Sequence, residues 1–595
     1  MALIAIFAAQ ILLETSFKSP SSDEPPHIAS GLSYVSTGIF RGNPQHPPLL
    51  KELSGLSMIL GGIRWPRNPD TDRFLHGDYP AGEQPEWLIG SGIIDEFGPD
   101  RVLFWARLPL VLVSCLLAAL IYLWGRQMVG PAAALGGVIL CTLDPVILGQ
   151  SGFVTMDIGV AAFLMLFFFV LWNYVKNPTI ARLVLTGLAL GAALGAKFSA
   201  GLAIPVAGIL MLAAIVWPAP GTRNRKRTPL DPFVPETIEP SAAASSRDFF
   251  VAARKAAKTS RNQACPCGSG KKFKACHGAL PRTPGAGLES PELIRRLGLC
   301  AIAFLAICAI AFVFIQALYF FPSDLLAYYR GMKLVNADHN ANYQVFLAGN
   351  FQSRFVTYFA AAYLLKEPIA GIILTGIGGV ALIRSRSISR LGKLFLVLPP
   401  VAWFIGHTFL ADDLGIRYIL AVFPFVHLVG GLGIATLWGM KAKWGRYLAG
   451  ALCAWLVLAD AGVYPDHLSY LNETACLFEN PSDIGLDGGT RCGPFWLDDS
   501  NVDWGQGLKQ LRTWLDHNAQ GRKIRILSTF GFPPEIYKIP TEESTGRDYT
   551  VPSTGLYAVS AHLVARLRAS PNPTWLKTTK PKTIVGHAFY IYDLP

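Results

Sequence analysis

The sequence predicts an α-helical polytopic membrane protein of about eleven transmembrane helices, with a small extracytoplasmic α/β domain at its C-terminus. Three observations predict it. The 595 residues are 51% hydrophobic and only 15% charged, with a mean hydropathy of +0.36, which is too apolar for an ordinary soluble protein. The apolar residues gather in runs long enough to cross a bilayer. The basic residues fall mostly in short links between these runs.

The apolar runs are each roughly 20 residues long, as a transmembrane helix requires. They lie at 3–17, 103–124, 131–149, 153–175, 183–200, 201–217, 297–320, 366–383, 394–411, 417–438 and 446–464. The first is short and has no basic leader, so it is interpreted as a first span of a clipped chain, not as a cleavable signal peptide. The runs at 183–200 and 201–217 are alternatively one broken span.

Lys and Arg set the predicted orientation, because cytoplasmic loops are enriched in them. Basic links, such as the one at 384–393, alternate with links that contain few basic residues. This pattern predicts a cytoplasmic N-terminus and an extracytoplasmic C-terminus, in a bacterial inner membrane. Topology therefore explains the formal charge of +12, and we expect no nucleic-acid partner.

The same pattern divides the chain into four parts. Residues 1–217 form an N-terminal transmembrane half with an external loop at 18–102, and 297–464 form a second half with an external loop at 321–365. Between them, the Pro-, Ser- and Ala-rich residues 218–296 are predicted to be a disordered cytoplasmic loop. The tail, 465–595, is long enough for a small domain.

The tail has an α/β pattern. Apolar spacing predicts a helix over 505–518, and strand-like runs follow at 523–530, 555–560 and 583–592. Cys476 and Cys492 are either a disulfide, which an oxidising compartment allows, or two free thiols.

A polar cluster precedes the tail helix: Asp498, Asn501, Asp503 and Trp504. The simpler interpretation is that Asp503 caps the helix. A calcium-like oxygen site is the alternative, although the spacing lacks the Gly and Glu of an EF-hand.

Acidic residues close to the membrane are the first candidates for chemistry, since carboxylates are costly there. Asp23 and Glu24 follow the first span and are stiffened by two prolines. His46 precedes two more prolines, at the start of a predicted amphipathic helix, and taken alone it is more simply a packing residue at the helix end. Asp157 lies at the external end of the fourth span, either facing a cavity or capping its helix. Such a carboxylate can accept a proton from an acceptor hydroxyl or amine.

Basic residues on the external side form the second set of candidates: Arg107, Lys197, Lys366 and Arg417. A cation on that side calls for a partner, and a lipid phosphate is one that Arg binds with two hydrogen bonds. Snorkelling toward headgroups is the alternative. Arg417, with Tyr418 beside it, is the best candidate for a phosphate site.

Several stretches together resemble one enzyme family. The loop DEPPHIASGLSYVSTGIFRGNPQHPPLLKELSG is similar to the first external loop of family 39-type glycosyltransferases, relatives of protein O-mannosyltransferases and of the lipid A aminoarabinose transferase, with a GT-C fold. Six further stretches match the same group: ARLPLVL, the TMD at 155–157, the segment from His339 through FLAGN to Lys366-Glu367-Pro368, GIRYILAVFPF, YPDHLSYLNE and DSNVDWGQGLKQL. The resemblance covers nearly the whole chain except 218–296.

The resemblance implies transfer of a sugar from a polyprenyl-phosphate carrier to an acceptor on the external face, with inversion. It implies Asp23 as the catalytic base, Glu24 beside it, and Asp157 as a second acidic residue that binds the acceptor or orients groups. Arg417, with Lys197 or Lys366, would hold the carrier phosphate. Such transferases generally need no metal, and a divalent cation at the catalytic site stays open. The acceptor is a protein, a lipid or a glycan.

A separate motif lies in the cytoplasmic loop. CPCGSGKKFKACHG provides Cys265, Cys267, Cys276 and His277, which suit a four-coordinate structural zinc ion. It resembles the zinc-binding C-terminal motif of the preprotein translocase ATPase SecA. We interpret it as an appended knuckle over 262–279 that docks a cytoplasmic protein partner, because a closed ligand set leaves no position for catalysis.

Two other functions remain as alternatives. A transporter or flippase of lipid-linked sugars would use the same cations without a base, but the sequence shows no internal repeat of the kind such folds contain. A secretion-linked membrane adaptor would act through the zinc knuckle.

Overall fold

The computed structural model describes residues 1–80, 83–217, 219, 231–233, 263, 272, 291–337, 343–519 and 521–595. Most of the predicted disordered loop 218–296 therefore lies outside the described residues. All four predicted zinc ligands lie outside them.

The membrane part is helical, as predicted. Seven described helical segments are long and apolar enough to cross a membrane, and two bent pairs raise the number to nine if each pair is one span. Two shorter apolar helices, α1 (Ala2–Ser16) and α10 (Ile180–Ala196), complete the set. These segments coincide with the eleven predicted apolar runs. The other long helices are α6 (Pro99–Met128), α9 (Asp157–Lys176), α11 (Ala203–Val216), α12 (Pro291–Leu318), α16 (Arg390–Leu410), α17 (Phe423–Trp438) and α18 (Lys443–Val463).

Two breaks bend the bundle. The pair α7 (Pro131–Thr142) and α8 (Pro145–Ser151) is bent by 62°, and the pair α14 (Tyr358–Lys366) and α15 (Ile369–Arg384) by 110°. A proline begins α8 and another directly precedes α15, which fits the breaks because proline cannot continue the hydrogen bonding of a preceding turn. Each break places an acidic side chain, Asp144 or Glu367, inside the bundle.

The loop after α1 folds into short helices. These are α2 (Glu24–Thr37), α3 (Leu49–Leu60), α4 (Pro69–His76) and α5 (Glu86–Phe97). The helix predicted after His46 is α3. Between α12 and α14 lie helix α13 (Ala327–Ala337) and a hairpin of β1 (Val345–Leu347) and β2 (Asn350–Gln352).

The tail is α/β. Its sheet has the order β3-β4-β6-β5, from strands β3 (Ile524–Leu527), β4 (Gly555–Ser560), β5 (Thr583–Val585) and β6 (Phe589–Leu594). β3 and β4 are parallel and the other pairs antiparallel. The predicted single strand at 583–592 is thus two strands. The tail helices are α19 (Thr474–Leu477), α20 (Gly493–Trp496), α21 (Leu508–Asn518) and α22 (Ala561–Ala569). A disulfide joins Cys476 and Cys492.

The prediction that Asp503 caps the tail helix is wrong. α21 begins at Leu508 after Gly507, without a side-chain cap. Asp503 Oδ1 instead accepts the Gly505 N–H at 2.9 Å, because Asp503 lies in a turn that reaches back toward the bundle.

The tail is attached to the end of α1. Ser19 N–H donates to the Gln506 carbonyl at 3.0 Å, and Ser22 N–H donates to the Trp504 carbonyl at 2.8 Å. Lys18 forms a buried ion pair with Asp466. The tail therefore fixes the path of the chain just before Asp23.

Candidate functional site

A cavity of about 570 Å³ opens where the ends of several helices meet the loop after α1. Polar and apolar side chains both line it. The polar lining residues, called the polar wall below, are Asp23, His27, Gln45, His46, Asp157, Lys197, Ser199, Arg354, His407, Asp412, Arg417 and Tyr418. The apolar lining residues include Met156, Phe198, Leu202, Met332, Val335 and Leu410.

Two acids and two cations alternate along the polar wall. Arg417 Nη1 lies 2.9 Å from Asp23 Oδ2 and 4.0 Å from Asp157 Oδ2, and Lys197 Nζ lies 2.5 Å from Asp157 Oδ1. The chain of charges Asp23–Arg417–Asp157–Lys197 sums to zero, which lowers the cost of enclosing it. An anion that enters can bind both cations only by competing with the carboxylates. The structure thus brings together four residues that the sequence predicted separately.

Asp23 and Glu24 face different surroundings. Asp23 lies at the N-cap of α2 and its side chain is 30% exposed, toward the cavity. The Glu24 side chain is 0% exposed, because consecutive residues at a helix start point in different directions. It accepts hydrogen bonds from Arg107 Nε and Nη2 at 2.8 and 2.7 Å, and from the Ser21 and Val154 N–H groups.

Glu24 and Arg107, both predicted as site residues, therefore pair with each other and do not line the cavity. The remaining Arg107 bonds explain its place. Its Nη2 donates to the Ser19 carbonyl at 2.9 Å and its Nη1 to the Thr15 carbonyl at 3.2 Å. Together the pair ties the end of α1 and the start of α2 to α6.

Asp157 is the first residue of α9 and is only 2% exposed. Asp157 lines the cavity and lies in the first turn, where the helix dipole favours an anion, but it does not cap the helix, whose N-cap is Met156 without a side-chain bond. Its ion pair with Lys197 connects α9 to the turn after α10.

Two aromatic rings lie beside the Arg417 guanidinium, that of Trp504 in the tail and that of the adjacent Tyr418. Its guanidinium carbon lies 4.1 Å from the centre of the Trp504 ring and 5.5 Å from that of Tyr418, within cation–π range. Lys197 Nζ lies 4.5 Å from the centre of the Tyr418 ring. The aromatic rings orient both cations without consuming their N–H donors.

The polar cluster at 498–504 positions Arg417. Asn501 Oδ1 accepts the Ile416 N–H at 3.0 Å, and Ser500 Oγ donates to the Leu414 carbonyl at 2.8 Å. Asp498 is held instead by Arg566 at 2.7 Å. Burial, with help from the charge of Asp499, raises the pKa of Asp498 to about 7. The tail motif therefore holds the backbone that carries Arg417.

Lys366 does not line the cavity. It is 1% exposed, and its ammonium donates to the Leu468 carbonyl at 2.9 Å and to the Asn501 carbonyl. Its function in the structure is to anchor the same tail segment to α14.

His46 and His27 stand against each other in the polar wall, with ring centres 5.1 Å apart. Burial, followed by the charge of Lys51, lowers the pKa of His27 to about 3. Burial, followed by His27 and Lys51, also lowers the pKa of His46. Both imidazoles are therefore neutral at pH 7, so they serve as hydrogen-bonding groups rather than as fixed charges.

Sequence reasoning missed Lys51, which lies under this wall. Its ammonium donates to the His46 and Asn43 carbonyls at 2.8 and 2.7 Å and to the Tyr34 hydroxyl at 3.0 Å. Burial lowers the Lys51 pKa to about 7. The HPPLLK spacing was the available signal, since it puts Lys51 in the first turn of α3, facing back toward His46.

Comparison with known proteins identifies two regions. Residues 33–227 match the family model described as dolichyl-phosphate-mannose-protein mannosyltransferase. Residues 261–279 match the SEC-C motif, at the predicted zinc knuckle, whose four predicted ligands lie outside the described residues.

The chain is also similar to solved structures. ArnT from Cupriavidus metallidurans bound to undecaprenyl phosphate is 12% identical, with a TM-score of 0.43, over 99% of this chain and 97% of that one. An oligosaccharyltransferase from Archaeoglobus fulgidus tethered with an acceptor peptide is 14% identical, with a TM-score of 0.39, over 84% and 59%. The predicted resemblance to the mannosyltransferase family is confirmed over residues 33–227, and the predicted SEC-C motif is confirmed over residues 261–279.

Proposed function

We propose that the protein transfers a sugar from a polyprenyl-phosphate carrier to an acceptor on the extracytoplasmic side of a bacterial inner membrane, with inversion at the anomeric carbon. The observation that carries the proposal is the alternating chain Asp23–Arg417–Asp157–Lys197 in a cavity that apolar side chains also line. Such a cavity suits a donor with an anionic head and a hydrocarbon tail.

The donor phosphate is held by Arg417 and Lys197. A phosphate oxygen replaces part of the contact that each cation makes with a carboxylate, and Arg417 adds the geometry of paired N–H donors. The first isoprene units lie along Leu202, Met332 and Leu410. Binding of this anion releases Asp23 from Arg417, so that the carboxylate becomes free to accept a proton.

The transfer is a single displacement. Asp23 takes the proton of the acceptor hydroxyl or amine as the acceptor atom attacks the anomeric carbon. The bond between that carbon and the phosphate oxygen breaks, and its electron pair leaves with the polyprenyl phosphate. Arg417 and Lys197 stabilise the negative charge that develops on the departing phosphate oxygen. Once the donor is bound, both cations are already in position, so they do not have to move during the reaction. Asp157 holds Lys197 and orients the acceptor. The acceptor is a protein, a lipid or a glycan.

In this proposal Arg417 and Lys197 stabilise the leaving phosphate, and no step is routed through a metal ion. At the SEC-C motif, the proposed ligands of a structural zinc ion are Cys265, Cys267, Cys276 and His277. The knuckle that this ion holds together docks a cytoplasmic partner.

A transfer assay tests the proposal. Purified protein in lipid is given radiolabelled polyprenyl-phosphate sugars and membrane extract, with Asp23→Asn as the test variant and the exposed Asp95→Asn as the matched control. We expect label in a new product with the native protein and the control, and a loss of about 10²- to 10⁴-fold with Asp23→Asn.

Donor binding separates the roles of the two groups. Asp23→Asn should bind the donor at least as tightly as the native protein, because Arg417 loses a competing carboxylate, whereas Arg417→Gln should bind it more weakly. Donor binding by the native protein without any cleavage of the sugar–phosphate bond would overturn the proposal in favour of a transporter. Loss of all function on removing residues 262–279 would favour an adaptor.

A further inference from the structure

A second cluster of ionisable groups lies inside the bundle, away from the cavity. Asp144 stands at the break between α7 and α8, Glu367 at the break between α14 and α15, and His427 on α17. They are 2%, 1% and 1% exposed, and one donor atom of each lies within 4.8 Å of the others. None of the three lines the cavity that holds Asp23.

The hydrogen bonds of the described residues leave this cluster incomplete. Asp144 Oδ1 accepts the Val146 N–H at 2.8 Å, and its Oδ2 lies 2.9 Å from His427 Nε2. Glu367 Oε2 is buried and has no hydrogen-bond partner within the described ranges. The neighbouring Lys366 ammonium is directed to backbone carbonyls.

Two buried carboxyl groups lie close together in this cluster, and burying the unpartnered Glu367 oxygen is costly. A cation relieves that cost. A divalent ion neutralises both carboxylates at once, and the donor set of one imidazole nitrogen with two carboxylate oxygens is one that zinc-type ions accept. His427 Nε2 and Asp144 Oδ2 lie 2.9 Å apart. Two ligand atoms bound to the same tetrahedral zinc ion lie about 3.3 Å apart, so a small adjustment would let both bind one ion.

We propose that Asp144, Glu367 and His427 bind a divalent metal ion of the zinc type within the membrane bundle. The ion is structural: it joins both helix breaks to α17 and fixes the bends between α7 and α8 and between α14 and α15. It is separate from the SEC-C motif and does not depend on the proposed function.

A second buried histidine provides a contrast within the same chain. His467 also has two acidic partners, Glu14 at 2.8 Å and Asp460 at 2.8 Å. These contact opposite ring nitrogens, Nδ1 and Nε2, so the two carboxylates lie on different sides of the ring and cannot meet at one ion. His467→Gln is therefore a matched control for the loss of a buried histidine between acids.

Metal content tests the site in the full-length protein. Cys265→Ser, Cys267→Ser and Cys276→Ser together remove the SEC-C thiolates and define the knuckle-minus protein. After exposure to zinc sulfate and passage over a chelating resin, we expect the knuckle-minus protein to keep about one zinc ion per chain. Adding Glu367→Gln or His427→Gln should reduce this to the level of a metal-free blank. Adding His467→Gln should leave it unchanged.

Two further readouts need no substitution in the cluster. Zinc should raise the melting temperature of the knuckle-minus protein, and a strong chelator should lower it, because an ion that binds only the folded state stabilises it. Cobalt bound to the knuckle-minus protein should show no sulfur-to-metal charge-transfer band. A knuckle-minus protein without bound metal and without a zinc-dependent melting temperature would overturn the proposal, as would equal loss of metal with His467→Gln.

Discussion

Two adjacent carboxylates should give opposite phenotypes. Asp23→Asn should slow transfer by about 10²- to 10⁴-fold with little change in melting temperature, whereas Glu24→Gln should lower the melting temperature and spare the turnover of the protein that remains folded. The difference follows from their surroundings, since the Asp23 side chain is 30% exposed in the cavity and that of Glu24 is fully buried against Arg107.

The magnitudes follow from the contacts. Glu24→Gln removes the charge that receives two Arg107 N–H donors and leaves the guanidinium, 2% exposed, without its counter-ion. Breaking a buried pair in this way costs about 3–5 kcal/mol. The Asp23 pair is partly solvated, so its loss should cost no more than about 1 kcal/mol in stability. Loss of the base should slow transfer by about 10²- to 10⁴-fold, which corresponds to about 3–5 kcal/mol in the barrier.

The assay measures both quantities on the same preparations in lipid. Thermal unfolding is followed for the native protein, both variants and Asp95→Asn, and transfer rates are expressed per folded molecule. A Glu24→Gln protein with native stability and no transfer would refute the reasoning, because Glu24 would then act in the chemistry. Native transfer by Asp23→Asn would refute the assignment of the base.

Three further outcomes are expected. Trp504→Ala should raise the KM for the donor several-fold with little change in kcat, because the stacked ring that orients Arg417 is worth about 1 kcal/mol; an exposed tryptophan variant is the control. Burial lowers the pKa of His587, but hydrogen bonds to two flanking aspartates outweigh it and raise the pKa to about 9. Protonated His587 therefore stabilises the folded state fully below about pH 6.5, and this stabilisation is lost as the pH rises through 9. The melting temperature should fall over that pH range in the native protein and not in His587→Gln. Replacing Cys476 and Cys492 by alanine should lower the free energy of unfolding by about 3 kcal/mol, since the disulfide closes a loop with a sequence separation of 16. In chemical denaturation, adding a reductant to the native protein should lower that free energy by the same amount.

The fold class and the positions of the spans could be predicted because they depend on local properties. A run of about 20 apolar residues needs a bilayer whatever its neighbours are. The alternation of apolar and polar residues likewise predicted the strands at 524–527 and 555–560. It failed at 583–592, where two short strands meet at a tight turn around His587, whose φ of 51° a periodic pattern does not reveal.

The candidate site was predicted only in part. The sequence indicated Asp23, Asp157, Lys197 and Arg417 by residue type and by position near span ends, and the structure places all four on one wall. The same reasoning selected residues that the structure places elsewhere, because burial and pairing depend on packing. Lys366 has the same charge and setting as Lys197, yet it binds backbone carbonyls of the tail.

The sequence by itself determined that this is a membrane protein, where its helices lie, and which acids and cations stand near the membrane surface. Only the tertiary structure decided which charges meet. Arg417 lies 394 positions from Asp23 and Arg107 lies 83 from Glu24, and neither separation predicts a contact. The direction of a side chain at the start of α2 assigns one carboxylate to the cavity and its neighbour to the core. That direction is set by packing of the tail, α6 and α9 around the helix, which a linear pattern does not encode.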